Sequence, residues 1–197
     1  MVREDVVTVD ERPRRIAVWG AAASGKTTLG RRLGQALGVP HLELDAVHWG
    51  PGWEPISTDA FRARVAVEIA RDRWVIDGEY FRKVADLIWE RADTVIWLDY
   101  PLPVLIWRLL WRTVTRVRRR EVLWSGNRET WRGAFLSRDS LFLHLLRTER
   151  RRRRQRAACA VELIARGVQV VRLRTLREAD AWLARVTANW SSEVDSA

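Results

Sequence analysis

Short apolar runs alternate along the chain with longer stretches in which apolar residues recur every three or four positions. The first run, Arg15-Ile16-Ala17-Val18-Trp19, ends at Gly20; beyond a loop of small residues, Leu29, Leu33, Ala36 and Leu37 recur at helical spacing until Gly38 and Pro40 stop the helix. Residues 41–45 read as a second strand, and 49–55, with two prolines, two glycines and two tryptophans, as a loop. Phe61, Val65 and Ile69 predict a helix over about 58–72, followed by strands at 74–77 and 94–98. Helices over about 103–119 and 139–166, a fifth strand at 168–173 and a last helix near 176–188 complete the pattern. Strands of four to six residues, rich in Val, Ile and Trp and separated by helices, predict an α/β fold with a parallel sheet covered on both faces.

A chain of 197 residues with 47% hydrophobic and 30% charged residues fits one globular domain, expected over 14–190 with an extension at 1–13 and a tail at 191–197. One cysteine, Cys159, and three histidines exclude a disulfide scaffold and give no zinc-ligand spacing. The start is charged from its third residue, unlike a secretory signal. The most apolar stretch, 94–111, is broken by Asp99, Pro101, Pro103 and Arg108, so no spanning helix is expected and a cytoplasmic location is.

Charge changes the picture. Of the net +10, residues 108–156 carry +12, sixteen arginines against four acidic residues, and the rest of the chain sums to −2. Such a concentrated field attracts phosphate-bearing ligands, whether nucleotide or nucleic acid, or serves as a solvated helical face. The interval 113–140, which interrupts the helical pattern beside the densest charge, reads as a lid.

The strongest chemical signal is Gly20-Ala21-Ala22-Ala23-Ser24-Gly25-Lys26-Thr27, which has the spacing Gly-x-x-x-x-Gly-Lys-Ser/Thr and the right context, after a strand and opening a helix. Amides from Gly20, Ala22, Ala23, Ser24, Gly25, Lys26, Thr27 and Thr28 are candidates to cradle the phosphates of ATP at the positive end of that helix. Lys26 is one of two lysines, with Lys83, among 35 basic residues; a compact ammonium fits between β- and γ-phosphates where a guanidinium would not. Thr27 is the candidate hydroxyl ligand of Mg²⁺.

Ligands of open α/β sheets sit beyond the carboxyl ends of the strands, so strand-ending acids are the next candidates. Asp77 closes Trp-Val-Ile-Asp and is assigned to Mg²⁺; Asp45 is assigned to accepting a proton from, or holding, the acceptor. Asp99 reads as a cap of the following helix, and Glu79 as a weaker acceptor-site candidate. Arg108, Arg112, Arg116 and Arg119 share one helical face that could clamp phosphates, with Arg128, Arg132 and Arg138 joining from the lid, while Trp107 and Trp111 on the adjoining face read as core. Trp49, Trp53, Trp124 and Trp131 fall in loop or lid, where a flat ring could stack on a planar acceptor or pack. His48 reads as structural.

These segments together resemble a known family. The phosphate loop, Leu44-Asp45 with His48-Trp49-Gly-Pro-Gly-Trp53, Trp74-Val-Ile-Asp77-Gly78, Arg91-Ala-Asp-Thr-Val-Ile-Trp-Leu-Asp99-Tyr-Pro101 and Trp124-Ser-Gly-Asn-Arg128-Glu129 are similar to adenylate-kinase-related P-loop proteins of the DNA topology modulation family. The resemblance runs from Arg14 to Leu183 and implies a five-stranded parallel sheet in the nucleotide-kinase arrangement, with a helical lid between strands four and five. It also implies roles for Arg108, stacking on adenine, and Arg112, contacting phosphate, from the pair of arginines four apart that adenylate kinases carry after strand four. Two departures stand out: adenylate kinases have Asp-Gly-Phe-Pro-Arg where this chain has Asp77-Gly78-Glu79-Tyr80-Phe81-Arg82, and the resembled family usually has asparagine at the place of Glu79.

The resulting expectation is a P-loop phosphotransferase carrying the γ-phosphate of Mg·ATP to a small, nucleotide-like or other acceptor, with Lys26, Asp45 and Arg112 as its catalytic residues. The rival reading is a nucleotide-switched nucleic-acid-binding regulator gripping backbone through the arginine-rich region 108–156, especially the run 150–154, although no DNA-reading motif is present. A bare ATPase is a third. Neither the acceptor nor the oligomeric state is written in the sequence.

Overall fold

The computed structural model describes residues 13–127 and 141–194. Its elements are β1 (Arg15–Gly20), α1 (Lys26–Leu37), β2 (His41–Glu43), α2 (Leu44–His48), α3 (Thr58–Ile69), β3 (Trp74–Asp77), α4 (Ala85–Trp89), β4 (Thr94–Leu98), α5 (Leu102–Arg119), α6 (Leu141–Ala165), β5 (Gln169–Leu173) and α7 (Leu176–Val194), with single helical turns at Pro51–Trp53 and Trp124–Gly126. The strands form one sheet in the order β2-β3-β1-β4-β5, and every pairing is parallel. The strand that feeds the phosphate loop is therefore central, flanked by β3, which ends in Asp77, and β4, which precedes Asp99.

Both sheet faces are covered, and the alternation of side chains along β1 shows how. Ile16 and Val18 point into a core built with Leu29, Leu33 and Leu37 of α1, Leu105 and Leu109 of α5, and Trp182, Leu183 and Val186 of α7. Ala17 and Trp19 point the other way, into a core with Phe61, Val65 and Ile69 of α3, Ile88 of α4, and Ala160 and Leu163 of α6. Trp74 and Trp97, like Trp19, are buried in this second layer. This is the five-stranded parallel α/β fold that the hydrophobic pattern predicts.

Two local expectations are corrected. β2 stops at Glu43 rather than at 45, because Leu44 is drawn beneath Gly78 and the chain enters a one-turn helix that contains Asp45. Trp107 and Trp111 are not core: they are 64% and 65% exposed and stack on each other with centroids 6.4 Å apart, since Leu105 and Leu109 already fill the buried stripe of α5. Helix α5 runs to Arg119 as expected; of the interval 113–140 read as a lid, the part at 128–140, with Arg128, Arg132, Arg138 and Trp131, lies outside the described residues, as do residues 1–12 and 195–197. Among the described residues no helix is long and apolar enough to cross a membrane.

Candidate active site

The loop from β1 to α1 turns tightly because three residues take positive φ: Gly20, Gly25 and, without being glycine, Ala23 at +61°. At Gly25 the requirement is double, since φ is +95° and an added Cβ would lie 3.0 Å from a terminal nitrogen of Arg108. The Ser24 amide bonds the Ala21 carbonyl at 3.2 Å, whereas the amides of Ala22, Ala23 and Gly25 have no protein acceptor among the described residues. Nor has the Ser24 hydroxyl, although Ser24 is buried. α1 begins at Lys26 with no side-chain cap, so the helix presents first-turn amides, among them those of Thr27 and Thr28, at the same place. Lys26 folds its ammonium onto the Ala21 carbonyl at 2.9 Å.

Thr27 reaches two carboxylates. Its hydroxyl oxygen is 2.9 Å from Glu43 Oε1 and 3.0 Å from Asp77 Oδ1. Those acids are neighbours because Glu43 and Asp77 are register partners at the ends of β2 and β3. A hydroxyl has one proton to donate, so it cannot serve both acceptors at once. The Thr27 hydroxyl and these two carboxylates are hard oxygens of the kind that suit a small divalent cation, which dehydrates reluctantly and takes one or two carboxylates beside phosphate oxygens. The sequence reading found Thr27 and Asp77 here and missed Glu43, hidden by a strand drawn two residues too long. It also missed His41, whose Nε2 sits 2.7 Å from Asp77 Oδ2.

Asp45 lies just beyond, in the first turn of α2, with Oδ1 accepting a 2.5 Å hydrogen bond from the Tyr80 hydroxyl. Burial first, then the charge of Asp45, pushes the Tyr80 phenol far above its ordinary pKa, so it stays a donor. His48 is buried between Trp49, Phe61 and Tyr80, and burial, aided by the charge of Lys83, pushes its imidazole below the usual value. The loop tryptophans meet one another edge to face, Trp49 on Trp53 at 5.9 Å and Trp53 on Trp124 at 6.1 Å. Buried Asn127 ties the two loops, accepting from the Trp53 amide at 3.1 Å and donating to the Gly50 carbonyl at 2.9 Å.

Of the helix-α5 arginines, Arg108 reaches the loop, donating from Nε to the Ala23 carbonyl at 3.0 Å with its guanidinium 5.7 Å over the Tyr100 ring. Arg112 lies half-buried one turn further along, Arg116 pairs with Glu121 at 3.7 Å, and Arg119 is exposed. Two acids have other duties than expected. Asp99 caps no helix: Pro101 occupies the cap of α5, and the buried carboxylate takes Arg153 of α6 at 2.7 Å and Arg172 of β5. Burial would raise its pKa, but hydrogen bonds from Arg153 and Arg172 hold it below the usual carboxylate range. Glu79 is engaged by Arg156 and the Gly20 amide rather than held open for an acceptor. The run 150–154 is thus partly turned inward, Arg153 onto Asp99 and Arg152 to 3.7 Å from Glu79.

The same arrangement of strands and helices occurs in solved kinases. A shikimate kinase from Bacteroides thetaiotaomicron superposes with a TM-score of 0.50 at 16% identity, over 89% of this chain and 97% of that one. A candidate kinase from Chloroflexus aurantiacus J-10-fl gives 0.50 at 20% identity, over 90% and 98%. This chain shares their fold. A gluconokinase from Sinorhizobium meliloti 1021 gives a TM-score of 0.49 at 21% identity, over 92% of this chain and 97% of that one. No protein-family model matches the chain, and no curated protein matches it in sequence.

Proposed function

We propose that this chain is an ATP-dependent phosphotransferase that moves the γ-phosphate of Mg·ATP to a small acceptor carrying a hydroxyl or comparable nucleophile. The observation that carries this reading is the meeting of Thr27 with Glu43 and Asp77 immediately beside a loop in which the amides of Ala22, Ala23 and Gly25 have no protein acceptor among the described residues. The amides of Ala22, Ala23 and Gly25 and those of the first turn of α1, Thr27 and Thr28 among them, hold the triphosphate, Lys26 exchanges the Ala21 carbonyl for phosphate oxygens, and Arg108 and Arg112 line the nucleotide from α5. Thr27, Asp77 and the newly found Glu43 would hold Mg²⁺, which when bound supplies neutralisation of phosphate charge.

Asp45 takes the proton of the attacking group. Its Oδ1 is occupied by Tyr80, which orients the carboxylate and directs Oδ2 to the acceptor. A kinase without covalent intermediates works by positioning and electrostatics, and every side chain named here is suited to one or the other. The nucleic-acid reading draws no support from Arg152 and Arg153, which face Glu79 and Asp99. The likeness to the DNA topology modulation family therefore bears on the kinase-like frame alone.

The test is a screen of nucleosides, nucleotides and small polyols with labelled ATP, in wild type and Lys26→Ala. A compound that gains label only with wild type, and at least about tenfold weaker Mg·ATP binding in the variant, is the expected result. Unchanged ATP affinity in Lys26→Ala, with transfer retained, would sink the reading.

A further inference from the structure

On the β3 side of β1 the backbone ladder ends with the Gly78 amide bonded to the Val18 carbonyl at 3.2 Å. Beyond it the chain swings away at Gly78, whose φ is +136°, so no backbone acceptor follows for the next inward amide of β1, that of Gly20. A side chain takes the place: Glu79 Oε1 accepts from Gly20 N at 2.9 Å. Gly20 is the first residue of the phosphate loop, and an added Cβ there would lie 2.8 Å from the Leu98 carbonyl oxygen, so only glycine fits where the loop leaves β1.

Glu79 is itself gripped from α6. Arg156 Nε donates to Oε1 and Nη2 to Oε2 at 3.1 Å, while Nη1 and Nη2 also reach Glu149 at 2.7 and 3.2 Å. The Arg156 side chain is 1% exposed and those of Glu79 and Glu149 6% and 9%, so the whole network sits out of water, where each contact is stiff and an unmatched charge is costly. Arg152, at 3.7 Å from Glu79, is the remaining cation of α6 beside it.

We propose that Glu79 is a positioning residue for the phosphate loop, and that through Arg156 and Glu149 it makes nucleotide affinity answer to the seating of α6. This rests on the reading of the loop as a Mg·ATP site. Removing the carboxylate frees the Gly20 amide and the start of the loop; removing Glu149 leaves the Gly20 contact intact but unbalances the arginine that holds it.

The experiment compares wild type, Glu79→Leu, Glu79→Gln and Glu149→Gln by calorimetric titration with Mg·ATP, by thermal midpoint, and by hydrogen exchange of the Gly20 amide without nucleotide. Glu79→Leu is expected to weaken Mg·ATP binding about tenfold, as befits one lost charge-assisted hydrogen bond at the loop, and to speed Gly20 exchange. Glu79→Gln, which retains an acceptor for that amide, restores slow exchange and most of the affinity. Glu149→Gln weakens binding by about threefold through the shared arginine. A merely structural role would lower the midpoint and leave affinity and Gly20 exchange alone, and that result in a folded Glu79→Leu overturns the proposal. Should Glu79→Leu fail to fold, wild-type affinity in both glutamine variants overturns it equally. If wild type binds no Mg·ATP, the kinase reading falls, and the positioning role is still decided by the exchange rate of Gly20.

Discussion

His41 Nε2 lies 2.7 Å from Asp77 Oδ2, and the ring reaches that point only because α1 carries glycine where it passes. A Cβ on Gly30 would come within 2.5 Å of His41 Nε2, and one on Gly34 within 3.0 Å of the His41 Cβ. The helix that opens at the phosphate loop is thus cut away on one side so that an imidazole can hold one oxygen of Asp77 while Thr27 faces the other.

Gly30→Ala should therefore run against helix propensity. Alanine gains about 1 kcal/mol in a helix interior. Displacing His41 forfeits a hydrogen bond to a carboxylate, about 1.5–3 kcal/mol. The expected net is a loss of about 1 kcal/mol in urea unfolding, with weaker Mg·ATP binding; a variant as stable as wild type, with unchanged binding, contradicts the role of the contact.

Tyr80 gives a pH signature. Burial and Asp45 raise its pKa in the folded protein, and burial also raises that of Tyr100, the other tyrosine, while both ionise near the ordinary value of about 10 when unfolded. The folded state binds these protons more tightly, so their contribution is whole below about pH 10 and declines as pH rises above it. Tyr80→Phe should flatten the loss of stability between about pH 10 and 11 and leave the Tyr100 share, which denaturant unfolding across that range would show.

At Asp99 the sign is opposite. Its folded pKa is depressed, so the contribution is present above the ordinary carboxylate value, about 3.9, and disappears as pH falls through the folded one. Asp99→Asn leaves Arg153 and Arg172 facing each other, but their side chains are 49% and 38% exposed, so water screens much of the loss. A destabilisation of about 2 kcal/mol at neutral pH is expected, with a flatter acid limb; less than about 0.5 kcal/mol would mean that the cluster is ornamental.

Trp107→Ala distinguishes an exposed ring from a core one. With both rings of the Trp107–Trp111 pair open to solvent, the expected change in stability is within about 0.5 kcal/mol, whereas a buried tryptophan costs about 3–5. A large loss in thermal or urea unfolding would return Trp107 to the core.

The phosphate loop was legible because all eight of its residues are consecutive, and the sheet because buried parallel strands are apolar on both faces. Helix α5 misled for a related reason: Trp107 and Trp111 are apolar at helical spacing, but a stripe at Leu105 and Leu109 was enough to meet the sheet. Glu43 and Asp45 are two residues apart, so the identity of the strand-ending acid hung on where β2 stops, and Leu44 packing beneath Gly78 decided that. His41 and Tyr80 were invisible as site residues because their partners lie 36 and 35 positions away. Glu79 was seen as a possible acceptor contact, but its partner Arg156 is 77 positions off and follows a run of arginines from which nothing in one dimension sets it apart.

By itself the sequence determined the α/β alternation, the first strand with its glycine-bounded loop, and the concentration of positive charge in one stretch, since each is a property of contiguous residues and local backbone preference. Only the tertiary structure decided which carboxylate answers which donor: Glu43 and Asp77 at Thr27, Tyr80 at Asp45, Arg156 at Glu79, Arg153 and Arg172 at Asp99. Charge and hydrogen-bond partnerships depend on separations of a few ångströms and on exclusion of water, and both are fixed by the packing of elements far apart in the chain.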